Sequence, residues 1–319
     1  MANSELNKRV YIRQIKEDFN LLQVTVDDES LDRWVIAPDI NRPGLELSGY
    51  KGDTELKRIV VIGVKEMEYI KTLDYDTQRD RFDFLTDSFT PCIIITSNAE
   101  VPQCLKDVAN SKNFPVFVFP FKTYSLTTQL TTYLSEKLAP VEQVHGVMMN
   151  IYGIGVLIMG ESGIGKSELA LDLIKRGHYL VADDVVEYSR FHYNIVCKAP
   201  DSLKRLLEIR GLGVVDVNLM FGAKSYLERC NLDFVIKLVS ASEFQKNNNR
   251  LEPAEMTTNF FDIEKTRLEI PVTDGKNISP IIEAAVTNYI LNNEGIDTNE
   301  EFKRNIKNMI IKKIGEKNG

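Results

Sequence analysis

The chain has 319 residues, 43% hydrophobic and 27% charged, with a formal net charge of -7. That length exceeds one ordinary core and points to about two domains; the balance is that of globular protein and argues against long disorder. A mildly acidic balance also argues against non-specific nucleic-acid binding, which needs a basic face, and leaves room for a local basic patch such as one that would hold phosphates.

Met1-Ala2-Asn3-Ser4-Glu5 carries no apolar signal core, and no apolar run reaches the ~20 residues of a membrane helix, so neither export nor membrane insertion is expected. Cys92, Cys104, Cys197 and Cys230 show no C-x-x-C spacing, and three histidines are too few for an obvious zinc set. Scattered thiols suit a reducing, cytoplasmic setting.

Residues 1–139 read as an α/β domain without an evident site. Arg58–Val64, Cys92–Ser97 and Phe114–Phe119 have the length and composition of buried strands. Glu66–Leu73 and Pro102–Ser111 read as helices between them, and the alternation predicts a largely parallel sheet. Residues 37–44 form a Pro- and Gly-rich loop. Ser125–Leu138 is an amphipathic helix with Leu126, Leu130, Tyr133, Leu134 and Leu138 near one face; Pro140 ends it, and the domain boundary is placed there.

Residues 140–319 form the second domain. A strand, Gly155–Met159, leads into Gly160-Glu161-Ser162-Gly163-Ile164-Gly165-Lys166-Ser167, which fits G-x-x-x-x-G-K-[ST] at each fixed position. Glycines let the backbone curl so that several N–H groups face one anion, and the helix that follows adds its positive end. Lys166 is placed to reach the outer phosphates, and Ser167 to hold Mg²⁺ through its hydroxyl. The helix runs from Lys166 to Arg176, with Ala170, Leu173 and Ile174 inward and Gly177 as its stop.

The motif alone leaves ATPase, GTPase and kinase open, although no N-K-x-D guanine signature is present. Tyr179–Ala182 is an apolar strand ending in Asp183 and Asp184; a carboxylate there can meet metal, position water or accept a proton from an attacking hydroxyl. Leu207–Val217 sets Glu208 and Arg210 among apolar residues and glycines, read generically as a helix end plus a strand. His145 precedes Lys166 by 21 residues. Two tail helices are expected, Pro280–Asn292 and one opened by the capping-box pattern Thr298–Glu301 that carries Phe302, Ile306, Met309 and Ile310.

In order and spacing, His145-Gly146, Gly160–Ser167, Arg176-Gly177-His178, Ala182–Asp184 and Leu207–Val217 resemble the HPr kinase/phosphorylase family, as do residues 41–47. The stretch Leu207–Gly213 is the most specific part. The resemblance implies a catalytic domain like that of phosphoenolpyruvate carboxykinase. It implies ATP- or pyrophosphate-dependent phosphorylation of a serine on the phosphocarrier HPr, and the reverse phosphorolysis of phosphoserine-HPr by inorganic phosphate to pyrophosphate. The loop 160–167 would hold the phosphates, Ser167 and Glu208 the Mg²⁺ or Mn²⁺. Asp183 or Asp184 would be the base, with His145 in support and Arg250 stabilising charge. A role in carbon catabolite repression, a homohexamer and sugar-bisphosphate control are likewise implied. Pro271–Asn277 departs from the family's Pro-Val-x-x-Gly-Arg loop, with Lys276 in the Arg position. A small-molecule kinase using the same loop and a non-enzymatic ATP sensor are the rival readings.

Overall fold

The computed structural model describes residues 8–26, 28–52, 57–247, 256–273 and 275–296. The chain divides into two compact units meeting at Pro140 and Val141.

The first unit is built on a five-stranded sheet. In chain order its strands are β1 (Leu22–Gln23), β2 (Ile40–Asn41), β3 (Ile59–Ile62), β4 (Ile93–Thr96) and β5 (Val116–Phe119). Their order in the sheet is β1-β5-β4-β3-β2; β2 to β5 are parallel and the short edge β1 is antiparallel. β3 and β4 are buried at every position, which is why they read as unbroken Ile/Val runs. Helices α1 (Val64–Lys71), α2 (Tyr75–Leu85) and α3 (Gln103–Ser111) supply the core on one face. Helix α4 (Thr123–Leu138) lays Leu126, Leu130 and Leu134 on the other. The charged helix α2 was not expected from the sequence; the side chain of Asp74 caps it at Thr77.

The second unit is a three-layer arrangement. Its strands are β6 (Val141–His145), β7 (Val147–Ile151), β8 (Ile154–Gly160), β9 (Tyr179–Ala182), β10 (Val185–Phe191), β11 (Asn194–Lys198), β12 (Leu206–Ile209), β13 (Gly213–Asp216), β14 (Arg229–Asn231), β15 (Phe234–Ser240), β16 (Met256–Phe260) and β17 (Ile263–Val272). A six-stranded mixed sheet has the order β9-β7-β8-β15-β17-β16, with β8, β15 and β17 parallel. A four-stranded antiparallel sheet has the order β14-β11-β10-β6, and β12 and β13 pair as a separate hairpin. Helix α5 (Lys166–Lys175) buries Leu169, Ala170, Leu173 and Ile174 against the large sheet, as its period requires. A further helix, Ser279–Asn293, adds Ile282 and Val286 to that layer. The C-terminal helix expected after Thr298 lies outside the described residues.

Alternate residues of β8 serve two cores. Val156 and Ile158 face α5, while Leu157 joins Met148, Val181 and Val235 on the opposite face. The strand is therefore buried on both sides and fixed in register between β7 and β15. It enters this position through a tight approach. A Cβ on Gly155 would lie 1.7 Å from the Asn231 carbonyl oxygen, while the Gly155 amide donates to Asp233 at 2.9 Å.

Gly155→Ala should therefore force β8 and β14 apart. The expected loss is about 1–3 kcal/mol, as in other overpacked sites, read as a lowered midpoint in denaturant unfolding. An unchanged midpoint would refute the close approach.

Candidate active site

The end of β8 delivers Gly160 to the phosphate-loop sequence, and α5 starts at Lys166. The turn between them needs glycine at two points: Gly163 has φ 80° and Gly165, the N-cap of α5, has φ 99°. Ile164 packs on the core below, which holds the loop down. The Lys166 ammonium donates to the carbonyls of Gly160 at 2.9 Å and Glu161 at 3.0 Å, so its charge lies along the loop. Glu161 and Ser162 are exposed on the outer side. A curl of this kind before a helix N-terminus is suited to a polyphosphate.

The Ser167 hydroxyl donates to both oxygens of Asp183, at 3.0 and 3.2 Å. The main-chain N–H of Glu208 donates to the same carboxylate at 3.0 Å. Asp183 is only 5% exposed, and burial raises its carboxyl pKa above the ordinary value against the opposing effect of these donors. Asp183 thus ties together the end of β9, the first turn of α5 and β12.

The neighbouring Asp184 behaves differently. Its φ of 64° is left-handed, and its side chain is 71% exposed. The chain turns outward here from β9 into β10. The Asp184 carbonyl accepts from Gly146 at 3.0 Å, and its carboxylate stands 3.8 Å from Nδ1 of the exposed His145. His145 ends β6 and pairs in register with Val185 of β10. Gly146 is required beside it, because a Cβ would meet the Ile158 carbonyl at 2.8 Å.

Leu207–Val217 is a β-hairpin running into a short helix, not a helix end followed by a strand. Gly211 and Gly213 take φ of 86° and 91° at its tip. Leu207 faces the core, so the alternation turns Glu208 to solvent. The structure thus gathers the loop 160–167, Asp183, Asp184, His145 and the Glu208 backbone around one end of the second unit. Arg250 lies outside the described residues. Lys276 is exposed, in a segment where the Asn277 side chain donates to Asp172 of α5 at 3.2 Å. Among the described residues no group of three or more His, Cys, Asp and Glu side chains is arranged to hold a metal alone.

One cluster went unread in the sequence. Arg176 donates twice to Glu283, at 2.9 and 2.6 Å, and His178 meets the same carboxylate at 2.9 Å. Tyr152 packs edge-on against the buried His178 ring, with centroids 4.8 Å apart. These bonds fasten the end of α5 to the helix Ser279–Asn293. Arg176-Gly177-His178 was visible as a motif, but its partner lies over a hundred residues away.

The family described as HPr Serine kinase C-terminal domain matches residues 136–306, and HPr Serine kinase N terminus matches residues 10–134. The HPr kinase/phosphorylase 1 of Oceanobacillus iheyensis is 39% identical over 95% of this chain and 97% of its own length. The HPr kinase/phosphorylase of Bacillus subtilis is 38% identical over the same shares. A solved structure, the Hpr(Ser) kinase/phosphatase from Coxiella burnetii, is 31% identical and covers 48% of this chain and 99% of its own, with a TM-score of 0.45.

The Arg176 and His178 contacts hold the Glu283 carboxyl down at about 2, against an ordinary 4.5. A depressed carboxyl stabilises the folded state above the ordinary value, and that contribution is lost as pH falls from about 4.5 towards 2. Glu283→Gln should lower thermal stability at neutral pH by about 1–3 kcal/mol. In melts run at decreasing pH, the gap between variant and wild type should close across this window. A gap independent of pH would disprove the assignment.

Proposed function

Since this chain belongs to the HPr kinase/phosphorylase family, we propose that it phosphorylates a serine of the phosphocarrier HPr and catalyses the reverse phosphorolysis. The donor is ATP or pyrophosphate, and the setting is the cytoplasm, where HPr-linked control of sugar uptake and catabolite repression operates. The observation that carries the reading is the bonding of Ser167 to the buried Asp183. It sets a carboxylate beside the phosphate loop, where an ATP sensor needs no acceptor base.

In this reading the loop amides and Lys166 grip the terminal phosphates. A divalent cation fits the chemistry present, because the Ser167 hydroxyl and nearby carboxylates are hard oxygen donors. Mg²⁺ is characteristically held by one or two protein oxygens together with substrate phosphates and waters, in keeping with the lack of a closed protein cage among the described residues. Ser167 and Glu208 would be its protein ligands, and the bound ion would offset charge on the transferring group.

Asp183 is the acid/base. It is the carboxylate that touches the loop, and burial limits its access to bulk water. In the forward direction it takes the proton of the serine hydroxyl as that oxygen bonds to the donor's terminal phosphorus and the bond from that phosphorus to its bridging oxygen breaks, releasing ADP from ATP or phosphate from pyrophosphate. In the reverse direction, the protonated carboxyl returns that proton to the leaving serine oxygen. Exposed Asp184, beside His145, meets the incoming protein from the rim. Arg250 is assigned to charge stabilisation from the family pattern alone.

Radiolabelled ATP with Mg²⁺ and purified HPr should place label on an HPr serine. Label on a metabolite would support a small-molecule kinase instead. Lys166→Ala should abolish both directions, since both seat phosphate in one loop; surviving phosphorolysis would contradict a shared site. Asp183→Asn should reduce kcat in both directions by about 10²–10⁴-fold, and Asp184→Asn by about tenfold or less. Equal, mild losses would remove the assigned base.

A further inference from the structure

On the face of the large sheet turned away from α5, charged side chains of β15, β17 and a short helix, Ala241–Asn247, meet close to the phosphate loop. Leu268 and Ile270 of β17 pack on the α5 side, so Arg267 and Glu269 project to the opposite face, as does Lys237 between Ile236 and Leu238 of β15. The Lys237 ammonium stands 3.3 Å from a carboxylate oxygen of Glu243 on the short helix and 3.7 Å from Oε1 of Glu269. The Arg267 guanidinium is also 3.7 Å from that Glu269 oxygen, and it donates to the Met256 sulfur at 3.3 Å and the Thr258 hydroxyl at 3.5 Å. The Glu269 side chain is only 6% exposed. Among the described residues, its Oε2 and the Nε–H of Arg267 are buried without a hydrogen-bond partner. Buried polar groups left short of partners are costly and rare. An unmet acceptor and an unmet donor, two residues apart on one strand face, point to a group that supplies both.

The charges define which group fits. Glu243 and Glu269 oppose a phosphate, and Lys237 and Arg267 oppose a metal ion. A hydroxyl is neutral and is at once donor and acceptor, so a single one can donate to Glu269 Oε2 and accept from Arg267 Nε. Location defines whose hydroxyl it is. Met159, Lys237 and Glu269 stand side by side across β8, β15 and β17, and Gly160 of the phosphate loop directly follows Met159. Two strand spacings put Glu269 about 10 Å from β8, within the reach of a triphosphate seated in the loop. Asp183 follows β9, which lies on the other side of β8 from β15 and β17. In-line transfer sets the acceptor oxygen and the leaving nucleotide on opposite sides of the phosphorus. The Lys237 and Glu243 side chains are more than one-third exposed and leave the cluster open to solvent on their side.

We propose that this cluster is the subsite for the ribose of the donor nucleotide. Glu269 accepts from a ribose hydroxyl and Arg267 donates to it, while Lys237 and Glu243 wall the subsite. The inference rests on the kinase reading above, with ATP as donor. Pyrophosphate, the other donor, has no ribose and makes no use of the subsite, so the two donors are separable in their dependence on these residues. The bond to the ribose is the same before and during transfer, and its loss therefore raises KM without altering the chemical step.

The test assays the full chain with Mg²⁺, purified HPr and each of three donors: ATP, dideoxy-ATP, which lacks both ribose hydroxyls, and pyrophosphate. In the wild type the KM for dideoxy-ATP should exceed that for ATP by about tenfold or more, at similar kcat. Glu269→Met and, separately, Arg267→Met remove the unmet groups at nearly constant volume, and thermal melts establish that each variant is folded. Each should raise the KM for ATP by a similar factor and erase the difference between the two nucleotides, while the KM for pyrophosphate stays within about twofold. Equal KM values for ATP and dideoxy-ATP in the wild type would overturn the subsite, whatever the variants do. So would a difference between nucleotides that persists in a folded variant, or a KM for pyrophosphate that rises as far as that for ATP. Wild-type protein that labels no HPr from any donor would instead sink the kinase reading, a result that does not depend on the variants.

Discussion

A buried carboxylate with three hydrogen bonds is the constraint around which the second unit is organised. Asp183 accepts two contacts from the Ser167 hydroxyl and one from the Glu208 amide. A carboxylate withdrawn from water without donors is costly, and removing one donor leaves the rest of that cost standing. The three elements that meet here, the end of β9, the opening of α5 and β12, are thus held by the same group that we propose as the acid/base. Assembly of the fold and assembly of the site are one event at this point.

The two adjacent aspartates show how backbone geometry divides roles that residue type does not. Asp183 completes an inward-facing strand end; Asp184, with φ of 64°, turns the chain out towards the small antiparallel sheet. A left-handed conformation is unfavourable for most residues and better tolerated by Asp. It is compensated here by the bond from the Gly146 amide to the Asp184 carbonyl, which seats β6 against the turn. Gly146 can approach only because it lacks a Cβ, as the 2.8 Å distance to the Ile158 carbonyl would otherwise forbid it. His145 is therefore carried to the rim by the small sheet, while the loop is carried there by the large one.

Much of this was legible in the residues. The apolar runs of β3, β4 and β8 and the 3.6-residue stripe of α5 follow directly from burial, and the phosphate loop lies between strand and helix as its spacing demands. The four-stranded antiparallel sheet carries no clear signal in the residues, since its strands β6, β10 and β11 are only five to seven residues long and, as in Val141–His145 and Asn194–Lys198, do not keep a strict alternation of polar and apolar side chains. The Leu207–Val217 hairpin is hard to tell from a helix end plus a strand, because two glycines at its tip and charged residues on its outward face obscure a short period-two pattern. Asp183 and Asp184 could not be ranked from sequence, because only the φ reversal between them sends one inward. The Arg176–His178–Glu283 cluster depends on a pairing across more than a hundred residues, for which the local sequence carries no signal.

The departure at Lys276 is best understood through its backbone. The segment from Pro271 to Asn277 leaves the end of β17 and is moored at its far side: the Asn277 amide donates to Asp172, and its side-chain oxygen accepts from the Ser279 amide at 2.9 Å. The Lys276 amide itself donates to the Thr273 carbonyl at 3.2 Å. These bonds involve main chain and Asn277, so they are indifferent to whether residue 276 is Lys or Arg. What the exchange alters is the head group, from a planar fork that meets two phosphate oxygens to a compact ammonium that meets one at a time. Charge is conserved and orientation is not. An anion held here would therefore be attracted as before but less fixed in direction.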